Sequence, residues 1–409
     1  MAKYGISVDT VRSSKRVRCS LLFLAGGVGI GAWASSLPLL SAKMGLDKAQ
    51  LGTLLLCFAF GAIVLMVNVG RFSDRFTSYA LSLCGSVAFG LAIFLVPFVD
   101  GLMSLGMLLF VAGAGFGTLD VSMNIEASEI ERDTDRHLMS SFHALFSIGN
   151  IIGAFLVGMI VTYGGRLHEC LGGAGVLVVL TALATLLFAR NSDHHGTHAA
   201  KTAASGAAAK LNSSQTVLVF MFGIIAFLAF LAEGGIMDWS AVYLVDTVGA
   251  SESVGAYGFA IFAAAMALGR LVGDSVTRRV GHVNVLRFGG IVCAASLSAM
   301  LFGRSVGVSL VILAFCGFGV ANMIPAVFAS AGRIGSRAAG RAMSIVTTMG
   351  YTGLLLGPAV LGFIAQVSSL TVSLGLIAVA FALISAGTFF VGRRLKDFQK
   401  KERLSENPA

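Results

Sequence analysis

Two carboxylates stand where a hydrophobic segment ought to continue. Residues 231–244 read LAEGGIMDWSAVYL and follow the apolar run VLVFMFGIIAFLAF at 217–230. An ionisable side chain near the centre of a bilayer costs at least about 2.5–3.5 kcal/mol, so it must face a bundle interior or water and is a functional candidate by default. Glu233 falls slightly to the outer side of the middle of this segment, and Asp238 falls nearer its outer end. Five helical steps place the two about 140° apart, so one straight helix does not aim both into a single narrow site. Glu-Gly-Gly could loosen the helix there and change that angle. Glu233 is thus a candidate proton or solute site, with a buried hydrogen-bonding role as the alternative. Asp238 fits an outer gate or helix-end role better than chemistry.

The remaining candidates are few. Asp120 precedes Asn124 by one helical turn on the same face. His143, Ser147 and Asn150 recur at i, i+4 and i+7, a polar stripe that must meet polar partners rather than lipid. His143 serves equally as a neutral core histidine or as a proton relay. Trp33 and Trp239, the only tryptophans, suit an aromatic platform for solute or an interfacial anchor. Arg71, Asp74, Arg270 and Asp274 fall at helix ends, where pairing with one another and with helix dipoles would hold an inner gate closed. No Lys or Arg lies in the middle of an apolar run, which favours a neutral or cationic solute over an organic anion. No nucleotide loop, nucleophile elbow or metal motif stands out, so no catalytic residue, metal or cofactor is expected. His194, His195 and His198 lack the Cys or carboxylate that would complete a metal site.

The elements that must position these residues follow from composition. The chain has 409 residues, 56% hydrophobic and only 12% charged, against about 25% charged in a soluble domain; its mean hydropathy is +0.87. Apolar runs of about 20 residues match the length of a membrane-spanning helix. Twelve spans are predicted, at 18–40, 50–70, 79–97, 102–124, 139–163, 169–190, 214–243, 254–275, 284–303, 306–330, 340–363 and 368–392. This is the pattern of an all-α polytopic membrane protein, and no cleavable signal peptide is evident. The net charge of +9 does not point to nucleic acid, because of where it falls. With the N-terminus inside, the outer segments hold only Lys43, Lys48, Arg166 and Arg304 of the 29 Lys and Arg, the positive-inside pattern. Both termini are then cytoplasmic, and the tail RRLKDFQKKER (393–403) lies near anionic lipid headgroups. The acidic run EASEIERDTDRH (126–137) reads as a solvated cytoplasmic connection. The six cysteines form no CxxC pair and read as buried free thiols.

An Ala/Ser/Gly-rich linker divides the spans six and six. The expected organisation is a cytoplasmic N-terminus at 1–17, a six-helix half at 18–190, a linker at 191–213, a second half at 214–392 and a tail at 393–409. The halves match in order. GFGTLD (115–120) pairs with GFGVAN (317–322), GIGAWA (29–34) with GIMDWS (235–240), GRF (70–72) with GRL (269–271), and GNIIG (149–153) with GLLLG (353–357). Asp120 thereby aligns with Asn322, which cannot titrate. A duplicated six-helix unit is one route to alternating access. Gly27/Gly31, Gly113/Gly117, Gly149/Gly153, Gly269/Gly273 and Gly353/Gly357 are small-xxx-small pairs that would let backbones approach closely.

Twelve spans, a 6+6 repeat and a central linker resemble the major facilitator superfamily. GRFSDRF (70–76) is similar to its Gly-x-x-x-Asp-Arg signature, although Thr77-Ser78 replace the usual Gly and basic residues, and GRLVGDSVTRRVG (269–281) is similar to the second-half copy. DVSMNIEASEIER (120–132), MSSFHALFSIGNIIGA (139–154), LAEGGIMDWSAVYL (231–244) and MALGRLVGD (266–274) resemble a bacterial inner-membrane branch related to the fucose permeases. Those permeases carry an essential acidic residue in a Gly-x-Gly-x-x-Glu context that Asp120 matches, and a polar amide in a Ser-Phe-x context that His143 matches. The resemblance implies a secondary transporter of a small polar, sugar-like solute, with Asp120 as a coupling group; the residues themselves add Glu233 as the other proton-coupling group and favour a neutral or cationic solute. Trp33, Asn124, His143, Ser147, Asn150, Asp238, Trp239 and Asn322 would line the solute cavity. Proton-driven efflux of drugs or metabolites, and a non-transporting solute sensor, are the alternatives. The implied partners are solute, protons and membrane lipid, with the chain acting as a monomer.

The charge map is directly testable. In a cysteine-free background, Arg304→Cys should be labelled from outside intact cells by an impermeant thiol reagent and Gly196→Cys should not; labelling at 196 would overturn the map.

Overall fold

Hydrocarbon offers backbone groups no water, so a chain this apolar satisfies its N–H and C=O groups within helices. The computed structural model describes residues 8–72, 75–134, 138–189, 211–303, 305–332, 334 and 339–406. Among them, twelve helical segments are long and apolar enough to cross a membrane, as the sequence predicts. The helices are α1 (Val8–Ser35), α2 (Leu37–Met44), α3 (Lys48–Phe72), α4 (Ser78–Leu95), α5 (Leu102–Thr134), α6 (Met139–Thr162), α7 (Leu167–Ala184) and α8 (Leu186–Ala189). They continue as α9 (Ser213–Asp246), α10 (Glu252–Val280), α11 (His282–Gly303), α12 (Val306–Val320), α13 (Met323–Ala331), α14 (Ala339–Val367) and α15 (Leu370–Glu406).

Three local expectations change. The fourth span does not end near 124: α5 runs to Thr134. Most of the acidic run is therefore helix, because Met123, Ala127 and Ile130 continue its buried stripe. Glu-Gly-Gly does not loosen α9, which is unbroken from Ser213 to Asp246. Its glycines are used for packing instead. A Cβ at Gly234 would meet the Leu354 side chain at 3.0 Å, and one at Gly235 would press on Leu361 and Ile377. The tenth span, read as continuous, breaks between α12 and α13 at Ala321-Asn322.

The chain forms two compact units, one from Met1–Ala200 with Leu244–Ala263 and one from Lys201–Tyr243 with Ala264–Ala409. In the first, α1 packs on α6, α3 on α5, and α4 on α5 and α7. Gly27 and Gly31 lie so close to the backbone carbonyls of Phe146 and Asn150 that a Cβ would overlap them. Gly149 and Gly153 meet the carbonyls of Leu24 and Val28 in the same way, and Gly113 and Gly117 meet those of Phe58 and Ala62. In the second unit, Gly353 of α14 meets the Phe227 carbonyl of α9, and Gly357 faces Leu231 at 3.3 Å. The glycine pairs read from the sequence thus join spans one and five in one unit and spans seven and eleven in the other, the same interface twice. Gly269 and Gly273 face Ala321 and the Asn322 side chain at the α12–α13 break.

The segment Leu244–Ala263 follows the linker in sequence yet groups with the first unit. Lys48 ion-pairs with Asp246 there. The Tyr257 ring packs on Phe155 with centroids 5.7 Å apart, sits where a side chain at Gly158 would stand, and places its hydroxyl 3.4 Å from that of Thr162. At the same end Lys43 lies 3.5 Å from Asp100. Lys43 and Lys48, two of the basic residues assigned to the outer segments, are therefore offset by acidic neighbours.

Gly27→Leu should lower the thermal midpoint of the detergent-solubilised protein by several degrees, since forcing atoms into a closed contact costs about 1–3 kcal/mol. Gly173→Leu, where nothing lies within 4 Å of an added Cβ, should leave the midpoint unchanged. Equal behaviour of the two variants would show that the backbone approach at Gly27 does not hold α1 to α6.

Candidate functional site

The two intramembrane carboxylates of α9 have different surroundings. Glu233 Oε1 accepts from Arg270 Nη2 of α10 at 3.4 Å, and the two side chains are 12% and 40% exposed. Arg270 also directs Nε at the carbonyl of Ala321, 3.4 Å away, where the helix breaks. The sequence reading placed Arg270 at a helix-end gate with Asp274. It lies instead inside the apolar stretch Glu252–Gly273 and reaches Glu233. Arg270 stands three residues before the end of that stretch, so the middle of the span still holds no basic residue, yet a cation does reach Glu233. The side chains of Arg71 and Asp274, and all of Asp74, lie outside the described residues, as does the linker with its three histidines.

Asp238 and Asp120 are half-buried. Asn124 donates to the Asp120 carbonyl at 2.8 Å and approaches its carboxylate at 3.5 Å, which confirms the one-turn pairing. Its repeat partner Asn322 is occupied differently, donating from Nδ2 to the carbonyl of Gly269 at 2.7 Å. Asn322 thus ties the α12–α13 break to α10. Trp239 is fully buried and donates from Nε1 to the Pro358 carbonyl at 3.3 Å. Trp33 is also buried and stacks on Phe58 with centroids 5.9 Å apart. In this state both indoles belong to the packing of their own units rather than to an open platform. On α6, Ser147 bonds the His143 carbonyl at 3.1 Å, His143 meets the Phe23 ring edge-on at 5.3 Å, and the buried Asn150 Oδ1 has no hydrogen-bond partner among the described residues. Of the stripe, His143 touches α1 through the Phe23 ring and Ser147 bonds within its own helix. No group of three or more His, Cys, Asp or Glu that could hold a metal occurs among the described residues.

Comparison with known proteins now decides the family. The chain matches the Major Facilitator Superfamily over residues 19–333 and 222–408. The protein belongs to that superfamily. It is 34% identical over 383 residues to an uncharacterised MFS-type transporter of Yersinia pestis, covering 93% of this chain and 96% of the relative. It is 22% identical over 385 residues to a cis,cis-muconate transport protein of Acinetobacter baylyi, covering 91% and 90%. Among solved structures it resembles the nucleoside transporter NupG with a TM-score of 0.71 at 13% identity, covering 92% of this chain and 98% of that one.

One charged site in this superfamily member escaped the sequence reading. Arg18 Nε donates to Glu126 Oε1 at 2.7 Å, and both side chains are almost wholly buried. The Arg18 guanidinium lies 3.9 Å above the Tyr79 ring, and the Tyr79 hydroxyl is 2.9 Å from that of Thr185. Spans one, three, four and six are thereby joined through one cation. Glu126 Oε2 has no hydrogen-bond partner among the described residues. Arg18 was read as a span end and Glu126 as solvated loop; the only sequence signal was that Glu126 continues the apolar stripe of Met123 and Ile130. Breaking a buried pair by removing one partner costs about 3–5 kcal/mol, whereas replacing both with apolar groups is often neutral. Arg18→Met should therefore unfold at markedly lower temperature, and Arg18→Met with Glu126→Leu should recover most of the loss. A double variant no more stable than the single one would refute this.

Proposed function

We propose that the protein is a proton-coupled secondary transporter working by alternating access on a small polar solute. It would act as a monomer in the inner membrane with both termini inside, in a branch related to the fucose permeases. The observation that carries the coupling is the Glu233–Arg270 contact: a carboxylate within an apolar helix, held among the described residues by one long contact to a cation that is itself partly exposed. A proton on Glu233 would cancel the charge that holds Arg270, so protonation and local geometry are linked. Asp120, in the other unit, is a second group able to exchange a proton or touch the solute. The charge distribution along the sequence supports the orientation. The relatives' names, from a muconate transport protein to a nucleoside transporter, do not fix the solute.

The test is transport in proteoliposomes with an imposed pH gradient, beside equilibrium binding. Gln mimics the protonated acid, so Glu233→Gln should abolish gradient-driven accumulation while sparing binding and exchange. Asp120→Asn should impair coupling or binding, and Asp238→Asn should retain substantial activity. Full accumulation by Glu233→Gln would remove it as the proton site. Counterflow separates a transporter from a solute sensor, and the direction of proton movement separates symport from efflux by antiport.

A further inference from the structure

Among the described residues, the arginine that meets Glu233 has more donors than partners. A guanidinium carries five N–H groups in a planar fork suited to a carboxylate. For Arg270 the described residues supply two acceptors, Glu233 Oε1 and the Ala321 carbonyl, each at 3.4 Å. Two-fifths of its side chain is exposed although it lies within an apolar span. A structural ion pair looks different, as Arg18 shows with its 2.7 Å contact and near-complete burial. Beside Glu233 on α9, three residues earlier and so on a neighbouring face, Phe230 stacks on Tyr351 with centroids 5.4 Å apart and an interplanar angle of 23°. Phe328 packs on Phe230 at 6.1 Å. All these groups belong to the same unit. Among the described residues, the charged or titratable groups set against Glu233 are Arg270 of α10 and the Cys293 thiol of α11, with Asp238 further along its own helix.

We propose that the solute is a small organic anion: its carboxylate takes the Arg270 guanidinium when Glu233 carries a proton, and its planar or apolar part lies on the Phe230–Tyr351 pair. This rests on the transport reading and names its substrate class. The exchange balances charge. The proton neutralises Glu233, its carboxylate releases Arg270, and the incoming carboxylate replaces the one withdrawn, so the site keeps one anion against one cation. Proton and anion therefore bind with positive coupling, and the coupling is reciprocal. For a monocarboxylate the pair carries no net charge.

The experiment measures thermal stabilisation of the purified full chain, and titrated affinity, for benzoate, nicotinate and cis,cis-muconate against the neutral amides benzamide and nicotinamide, at pH 5.5 and 7.5. Carboxylates should stabilise the protein more strongly at pH 5.5, and the matched amides should not. Arg270→Gln should weaken carboxylate binding by at least about tenfold, the scale expected for a lost charged hydrogen bond, and Arg270→Lys should restore part of it. Glu233→Gln should bind carboxylates more tightly than the wild type at pH 7.5 and lose the pH dependence, a gain that a merely structural ion pair would not give. No stabilisation by any of these carboxylates, or undiminished binding in Arg270→Gln, overturns the proposal. Proteoliposome accumulation keeps the two readings apart. Carboxylate binding through Arg270 without gradient-driven uptake refutes coupled transport and leaves the anion site. Uptake of a neutral solute with no response to carboxylates refutes the anion site and leaves coupled transport.

Discussion

A helix in hydrocarbon gains little hydrophobic energy by exchanging lipid for another helix, so close backbone approach has to hold the bundle. Glycine makes that approach possible, and this chain spends its glycines accordingly. Gly27, Gly31, Gly149 and Gly153 place α1 and α6 backbone to backbone, with no room for a Cβ on either side. Such an interface fixes helix register, because a shift along the axis would bring a larger residue into the contact. It therefore fixes where the polar stripe of α6 stands along α1. In the second unit, Gly353 and Gly357 do the same for α9 and α14, and so set the height of Glu233 and Phe230.

The second constraint is the cost of charge. Each carboxylate within a span must find a cation, a dipole or water, and the described residues show different solutions. Glu126 is sealed against Arg18, Glu233 is loosely held by a partly exposed Arg270, and Asp120 has the amide of Asn124 within reach. Where the duplicated segment lacks the carboxylate, as at Asn322, the side chain has turned to a backbone carbonyl and props open a helix break. The repeat kept the position while the chemistry diverged.

The spans, the duplication and the glycine seams were legible because each depends on local composition or on fixed spacing. Glu233, Asp120 and Asp238 were legible because hydropathy makes any charge in an apolar run conspicuous. Their partners were not. Arg18 and Glu126 are 108 residues apart, and each stands close enough to a charged stretch to be read as its boundary. Arg270 was masked in the same way by Asp274 and the basic residues after it. The break at Ala321-Asn322 was signalled by Pro325, which has no N–H for the Ala321 carbonyl four residues earlier and leaves it to Arg270, whereas Pro358 sits inside an unbroken α14. Only at Pro358 does the surrounding structure override the local preference.

The two ion pairs differ in length and in burial. A buried pair with short geometry is expensive to open, because opening leaves an uncompensated ion in a low-dielectric interior. Arg18–Glu126 is of that kind, and its further tie through Tyr79 to Thr185 makes it a fixed joint within one unit. The Glu233–Arg270 pair has a longer contact and a cation already partly exposed, so separating its members costs less and water or a solute can replace either partner. A bistable element needs two arrangements of similar free energy. The longer and more exposed pair can supply them, and the shorter, sealed pair cannot. On the proposed coupling, it is exposure, rather than the mere presence of a charge in an apolar helix, that favours α9 and α10 as the place where protonation acts.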